Sequence, residues 1–295
     1  MLYADDSALV VSGNDPKSIS KILSEQLESC SKWLIDNKLS LHLGKTEAIL
    51  FGSKRKLKLV NNNFQVTCYN VAIKNVTCVK YLGIYLNNCL SGEPIINDIV
   101  TKANNRIKFL YKFRDILDRN CRKLLCNALI QCHLDYCCSA WFSGLNKLHQ
   151  KKLQIVQNKM VRFILNLDYR THVGQQELNQ LNMLKVEDRA RQLQLNHLFK
   201  IYKGICPEYM LEDFNRISDT ALRTCTRASL NNFFLPRACD EAIKSFFYSG
   251  IKIWNSLPAN IKSIDSESTF KEKVKLFLKK EAEEKERNPF IYYSL

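Results

Sequence analysis

The chain has 295 residues, 46% of them hydrophobic, and carries 44 Lys+Arg against 29 Asp+Glu for a formal charge of +15. That length allows one large domain or two modest ones, and that hydrophobic fraction excludes wholesale disorder. No stretch approaches the length of a membrane span, Asp5 and Asp6 stand where a secretory leader would be basic and then apolar, and the 12 cysteines form no regular framework. An intracellular protein with reduced, mostly buried thiols and no membrane partner is therefore expected.

In chain order the first informative feature is Tyr3-Ala4-Asp5-Asp6. Adjacent carboxylates repel and raise one another's pKa, and the relief is either water or a shared cation. Mg²⁺ prefers carboxylate oxygens, and two such ions about 4 Å apart can organise an in-line phosphoryl displacement. The pair thus reads either as solvated turn residues or as part of a metal site. Neighbouring residues of a straight strand face opposite ways, so convergence on metal requires a turn beside them. The apolar run that follows, closed by Gly13-Asn14-Asp15-Pro16, suggests a hairpin with the acids at its tip. Only Met1 and Leu2 precede Tyr3, so the chain is expected to begin inside a structural unit.

Asp15-Pro16 then predicts a helix start, with Asp as the cap and Pro in the first turn. Ile19, Ile22, Leu23, Leu27, Cys30, Trp33 and Leu34 recur at helical spacing as a core face, and Asn37 suits a left-handed stop. Leu39, Leu41 and Leu43 alternate as a half-buried strand would, and residues 48–51 resume it. Residues 54–63 read as a polar loop. Phe64, Val66 and Cys68, followed by Val71 and Ile73, read as a hairpin turning at Tyr69-Asn70. Residues 79–86 read as a strand interrupted by Gly83, where a bulge or a close backbone approach is expected.

After Ser91-Gly92-Glu93-Pro94 the pattern changes to basic helices. Ile96, Ile99, Val100, Ala103, Ile107, Leu110 and Phe113 form a helical stripe, with Lys102, Arg106, Lys108 and Lys112 largely on other faces. Two further helices are expected at about 119–138 and 148–165. Between residues 101 and 165 stand 13 Lys and Arg against Asp115, Asp118 and Asp135, a local surplus of +10. Such a field suits a polyanion, above all nucleic acid. Phe109 and Tyr111 interleave with Lys108 and Lys112, a pattern that suits base and phosphate contacts, yet the same periodicity places Leu110 and Phe113 inward. Only one of these sets can face a nucleic acid.

Cys126, His133 and Cys137 are spaced to share a helix face, which makes zinc conceivable. Structural zinc relies on short Cys-x₂₋₄-Cys turns, none of which occurs among them, so core packing is the favoured reading. Trp33, Trp141 and Trp254 read as packing anchors. Towards the C-terminus, residues 187–203 read as a helix ended by Gly204, and 218–235 as a long polar loop. Residues 245–254 are rich in aromatics and are stopped by Leu257-Pro258. Thr269-Phe270-Lys271-Glu272 suits a capping box, and the charge run 279–287 a solvated helix end.

The order of these segments resembles the C-terminal half of a non-LTR retrotransposon reverse transcriptase of the LINE or jockey-like type. The matching residues are Tyr3-Ala4-Asp5-Asp6; Trp33 with Asn37-Lys38-Leu39-Ser40-Leu41, Lys45-Thr46-Glu47 and Phe51; and Val79-Lys80-Tyr81-Leu82-Gly83-Ile84. His133-Leu134-Asp135-Tyr136-Cys137 with Trp141, and Gly250 with Trp254-Asn255-Ser256-Leu257-Pro258, Phe270 and Lys271, extend the likeness over nearly the whole chain. The resemblance implies an α+β fold: the end of a polymerase palm in residues 1–90, a basic helical thumb in 91–168 and a helical C-terminal region in 169–295. It implies that Asp5 and Asp6 bind catalytic Mg²⁺, and that Lys45 steadies the leaving pyrophosphate. It places Tyr3, Tyr81, Leu82 and Gly83 near the primer, and Lys102, Arg106, Lys108, Lys112 and Arg114 on nucleic-acid phosphates. The implied partners are an RNA template, a DNA primer or their hybrid, together with the N-terminal polymerase portion.

The family's further catalytic aspartate, its Gln-Gly segment and its fingers have no counterpart in this sequence. Mg²⁺ is therefore expected to bind weakly or not at all to this chain alone, and polymerase activity is not expected of it. Two other readings stay open: a non-catalytic module that binds RNA or an RNA–DNA hybrid, and a translated remnant of a decayed element. A sheet lacking its first strands is also expected to leave an exposed edge.

Overall fold

A computed structural model describes residues 2–3, 6–60, 64–212, 214–217 and 231–287. The chain divides into two compact units, Met1–Ile95 and Ile96–Leu295, with the division inside the first turn of one helix.

The first unit begins with strands β1 (Leu2–Tyr3) and β2 (Asp6–Ser7), antiparallel, with Tyr3 opposite Asp6. Helix α1 (Pro16–Asp36) follows, and the Asp15 carboxylate accepts from the Ser18 amide as its cap. Its left-handed terminal residue is Lys38 (φ 59°), one position after the expected Asn37, whose side chain instead donates to the Trp33 carbonyl. Ile19 and Leu27 face the core, but Ile22, Cys30 and Trp33 are exposed, Trp33 by 60%. The stripe is thus narrower than its spacing suggests, and Trp33 is no packing anchor.

The strand expected through Leu39, Leu41 and Leu43 does not form. That segment is irregular and ends in a 3₁₀ turn, Leu43–Lys45. Strand β3 (Glu47–Ala48) pairs in parallel with β6 (Lys74–Asn75), and α2 (Lys54–Lys58) stands where a loop was expected, capped by Ser53. The hairpin of β4 (Thr67–Cys68) and β5 (Val71–Ala72) turns at Tyr69 and Asn70, both at positive φ. Two positive φ values suit the right-handed twist of the flanking strands. Its inward residues Val66, Cys68 and Ile73 join Phe64, Ala48, Ile19 and Leu27 in this unit's core. The Ser24 hydroxyl and the Glu28 carboxylate of α1 accept from the Thr67 and Tyr69 amides, which ties helix to hairpin.

Residues 79–86 form a hairpin rather than one interrupted strand. β7 (Cys78–Tyr81) and β8 (Ile84–Asn87) pair with Tyr81 opposite Ile84. Leu82 and Gly83 make the turn at φ 45° and 81°. Glycine adopts such a conformation readily, whereas Leu82 bears the strain of its Cβ. Every described ladder is two-stranded, so each described strand has an unpaired side.

The second unit is helical. Helix α3 (Glu93–Tyr111) buries Ile96, Ile99, Ala103, Ile107 and Leu110, while Phe113 lies beyond its end and is exposed. The helix expected at about 119–138 runs without a break over residues 119–135, with a π-helical turn inside it. It comprises α4 (Arg119–Cys126), a π-helical turn Asn127–Gln131 and α5 (Cys132–Asp135). Cys137 (φ 48°) then reverses the chain into α6 (Cys138–Trp141). Helix α7 (Lys147–Leu165) is capped by Asn146 and closed by left-handed Asn166. With α3, α4 and α8 (Gln175–Gln180) it surrounds a core that includes Met160, Phe163 and Ile164.

A second cluster is built on α9 (Val186–Tyr202), which Gly204 (φ 68°) ends as expected. After α10 (Asp240–Ile243), α11 (Phe246–Asn255) and α12 (Ala259–Lys262) carry Trp254, Leu257 and Ile261 into that cluster. Phe270 of α13 (Glu267–Arg287) stacks on Phe199, ring centres 4.4 Å apart. Helix α13 is already formed at Thr269, so the capping box expected there is absent. The charge run is not merely solvated either, because Leu278 and Ala282 are buried and Glu281 binds Arg191 at 3.0 Å. Most of the loop expected at 218–235 lies outside the described residues.

Candidate functional site: a basic face and an acidic hairpin

Asp5 lies outside the described residues. Asp6 starts β2 opposite Tyr3 and is exposed, so the hairpin does carry this acid at its tip. Among the described residues no group of three or more His, Cys, Asp or Glu could hold a metal ion. Lys45 ends its 3₁₀ turn exposed to solvent. Tyr81 and Leu82 are half-buried and Gly83 exposed in the β7–β8 turn, where Lys80 lies 5.6 Å from the Tyr85 ring centre.

The basic residues of the second unit divide into two kinds. Some hold the fold. Arg122 is buried and donates to the Phe163 carbonyl, and Arg162 donates to that of Thr171. Arg114, expected on phosphate, donates to the Leu167 carbonyl just beyond α7 and lies over the Tyr111 ring. It thus commits one guanidinium nitrogen to the fold and is half-buried. Tyr111 itself packs against Phe163 at 5.2 Å.

Another group lies on the outer face of α3. Lys102, Asn105, Arg106 and Phe109 are spaced i, i+3, i+4 and i+7, one helix face. Leu129 of the π-helical turn completes an open groove with them. Lys102 is paired to Asp98 at 2.7 Å, whereas Arg106, Lys108 and Lys112 are exposed and make no ion pair among the described residues. Lys108 and Lys112 make a second row on the far side of Phe109. Neither expected aromatic set stays whole: Leu110 turns inward and Tyr111 packs on α7, which leaves Phe109 and Phe113 together in solvent, ring centres 5.3 Å apart. Burial, with Arg106 and Lys102 close by, pushes the His133 imidazole below its ordinary pKa. Asn105 and Leu129 were not singled out by the sequence pattern, although the i, i+3, i+4, i+7 spacing marks Asn105.

Cys126, His133 and Cys137 do not form a metal face. Cys126 is buried, and Cys137 is exposed beyond the reversal. Cys30, Cys121, Cys132, Cys137 and Cys239 are exposed, so the thiols are not mostly buried.

The motif residues farther along the chain hold helices together. Asp135 takes two nitrogens of Arg189 on α9, the shorter contact at 2.7 Å, and the Trp141 indole donates to the Tyr136 carbonyl. The Asn255 side chain donates to the Phe233 carbonyl and accepts from its amide, while Trp254 donates to the Asn231 carbonyl. Trp141 and Trp254 are buried anchors, as expected.

Comparison with known proteins relates the chain to retrotransposon-encoded proteins. The relative found is the Retrovirus-related Pol polyprotein from type-1 retrotransposable element R1 2 of Nasonia vitripennis, 26% identical over 149 residues. The match covers 48% of this chain and 36% of that polyprotein. No known protein-family profile matches the chain. Among the described residues no helix is long and apolar enough to cross a membrane.

Proposed function

We propose that this chain is the part of a non-LTR reverse transcriptase that follows its fingers and first palm strands, and that its own activity is to bind an RNA–DNA hybrid. The carrying observation is the outer face of α3, where Arg106, Lys108 and Lys112 stand exposed, with no ion pair among the described residues, inside a stretch with a charge surplus of +10. The likeness to a retrotransposon Pol polyprotein and the acid at the hairpin tip support the same origin. In the complete enzyme the reaction would be nucleotidyl transfer, with Asp5 and Asp6 among the Mg²⁺ ligands, Lys45 near the pyrophosphate, and Tyr3, Tyr81, Leu82 and Gly83 near the primer.

Phosphate binding releases counterions, so affinity falls steeply with salt. Titrating the chain with an RNA–DNA hybrid over a range of KCl concentrations should give a steep negative log–log slope. The double variant Lys108→Ala/Lys112→Ala should flatten that slope by about two, close to one per lost contact. These side chains are exposed, so the fold is spared. Absence of binding at low salt refutes the reading.

A further inference from the structure

We propose that the groove between the outer face of α3 and the π-helical turn holds one unpaired base of a single-stranded RNA, stacked on the ring of Phe109. This rests on the nucleic-acid reading of α3 and adds the form of nucleic acid that the face selects.

The geometry comes first. Phe109 is 55% exposed in the last turn of α3, and with exposed Phe113 it forms an aromatic pair in solvent. Phe113 meets it edge-on at 5.3 Å and 60°, so the ring is propped and its orientation limited. Leu129 supplies an apolar wall opposite, and the groove of about 490 Å³ has room for a nucleotide. Its lining is mostly apolar, and Lys102, Asn105 and Arg106 add polar groups to it. A flat π-face seated between Phe109 and Leu129, with its phosphates over Arg106, matches each of these features.

The second observation is the backbone opposite. Asn127–Gln131 is π-helical, a rare arrangement that is less well bonded than an α-helix and that recurs at functional sites. Leu129 sits at its centre. The irregularity is therefore located where the groove needs its wall.

Charge selects the occupant. An apolar peptide would gain nothing from a field this basic, whereas a polyanion does. A base-paired duplex hides its base faces in the stack, so it can meet the cations but not the ring. Only an unpaired base offers both a phosphate and a π-face.

The test uses the whole chain and a single-stranded RNA carrying one fluorescent adenine analogue, with an RNA–DNA hybrid titrated in parallel. Phe109→Ala should weaken single-strand binding roughly tenfold and abolish the change in analogue fluorescence. Phe109→Trp should keep both, and hybrid affinity and its salt slope should be the same in all three proteins. Unchanged single-strand affinity in Phe109→Ala overturns the groove, and so does an equal loss for single strand and hybrid. If hybrid binding persists in either case, the nucleic-acid reading survives and only the groove is lost. If neither probe binds the unaltered chain at low salt, both fall.

Discussion

Cys126 lies in the core against α7, and burial pushes its thiol up to about 12. An unfolded thiol ionises near 9.0. Between those values the folded chain keeps a proton that the unfolded chain has lost, so stability falls as pH rises through that window. The slope from this one thiol is about 1.4 kcal/mol per pH unit. Lys262 and Lys275 act in the opposite sense, because burial lowers both and their penalty fades as pH climbs towards 10.5. Replacing Cys126 with Ala isolates the thiol: it should cost some stability at neutral pH through the small cavity left behind, yet lose less than the parent on going above pH 9. Urea midpoints at the two pH values check this, and equal losses would show that the thiol is not protected. Nothing in the sequence separates Cys126 from exposed Cys121 or Cys132, which lie on the same run of helix. Which thiol is buried depends on which face α7 covers.

Helix α9 shows how an element is held. Its Arg189 grips the Asp135 carboxylate with two nitrogens, and its Arg191 joins Asp188 to Glu281 of α13. Lysine keeps the charge but not the planar fork, so Arg189→Lys should lower unfolding stability by about 1–2 kcal/mol, read from urea denaturation. A change within experimental error would mean that the ion pair is incidental. Position 135 stood out in the sequence only through its motif. The partner is 54 residues away and could not be read from local spacing. The reach of α1, α7 and α9 was legible, because helical periodicity and signals such as the Asp15 cap and the Gly204 stop act through neighbouring residues. The helix at about 119–138 was legible too, but its internal π-helical turn and its stop before the reversal at Cys137 were not, since both answer to packing on other helices. The alternation Leu39, Leu41, Leu43 failed as a strand because no described strand pairs with it.

At the scale of the molecule, the tryptophans report unequally on the two compact units. Trp33 of the first unit is exposed, whereas Trp141 and Trp254 are buried in the second. Phe270→Ala removes a ring stacked on Phe199 and next to Trp254, a loss of about 3–5 kcal/mol. Its tryptophan-fluorescence transition should therefore move to lower denaturant, while the part of the circular-dichroism change that belongs to the first unit stays in place. A common shift of both would show that the units unfold as one. Composition and order by themselves determined the charge surplus, the approximate extent of the long helices and the likeness to retrotransposon proteins, because each is additive or local along the chain. Tertiary structure alone decided which basic residues are spent inside the fold, as Arg114 and Arg122 are, and which stay exposed, as Arg106, Lys108 and Lys112 do. It also decided that Phe109 and Phe113 share a face. A cation or a ring is available to a ligand only if no distant carbonyl, carboxylate or helix has claimed it, and that competition is settled in three dimensions.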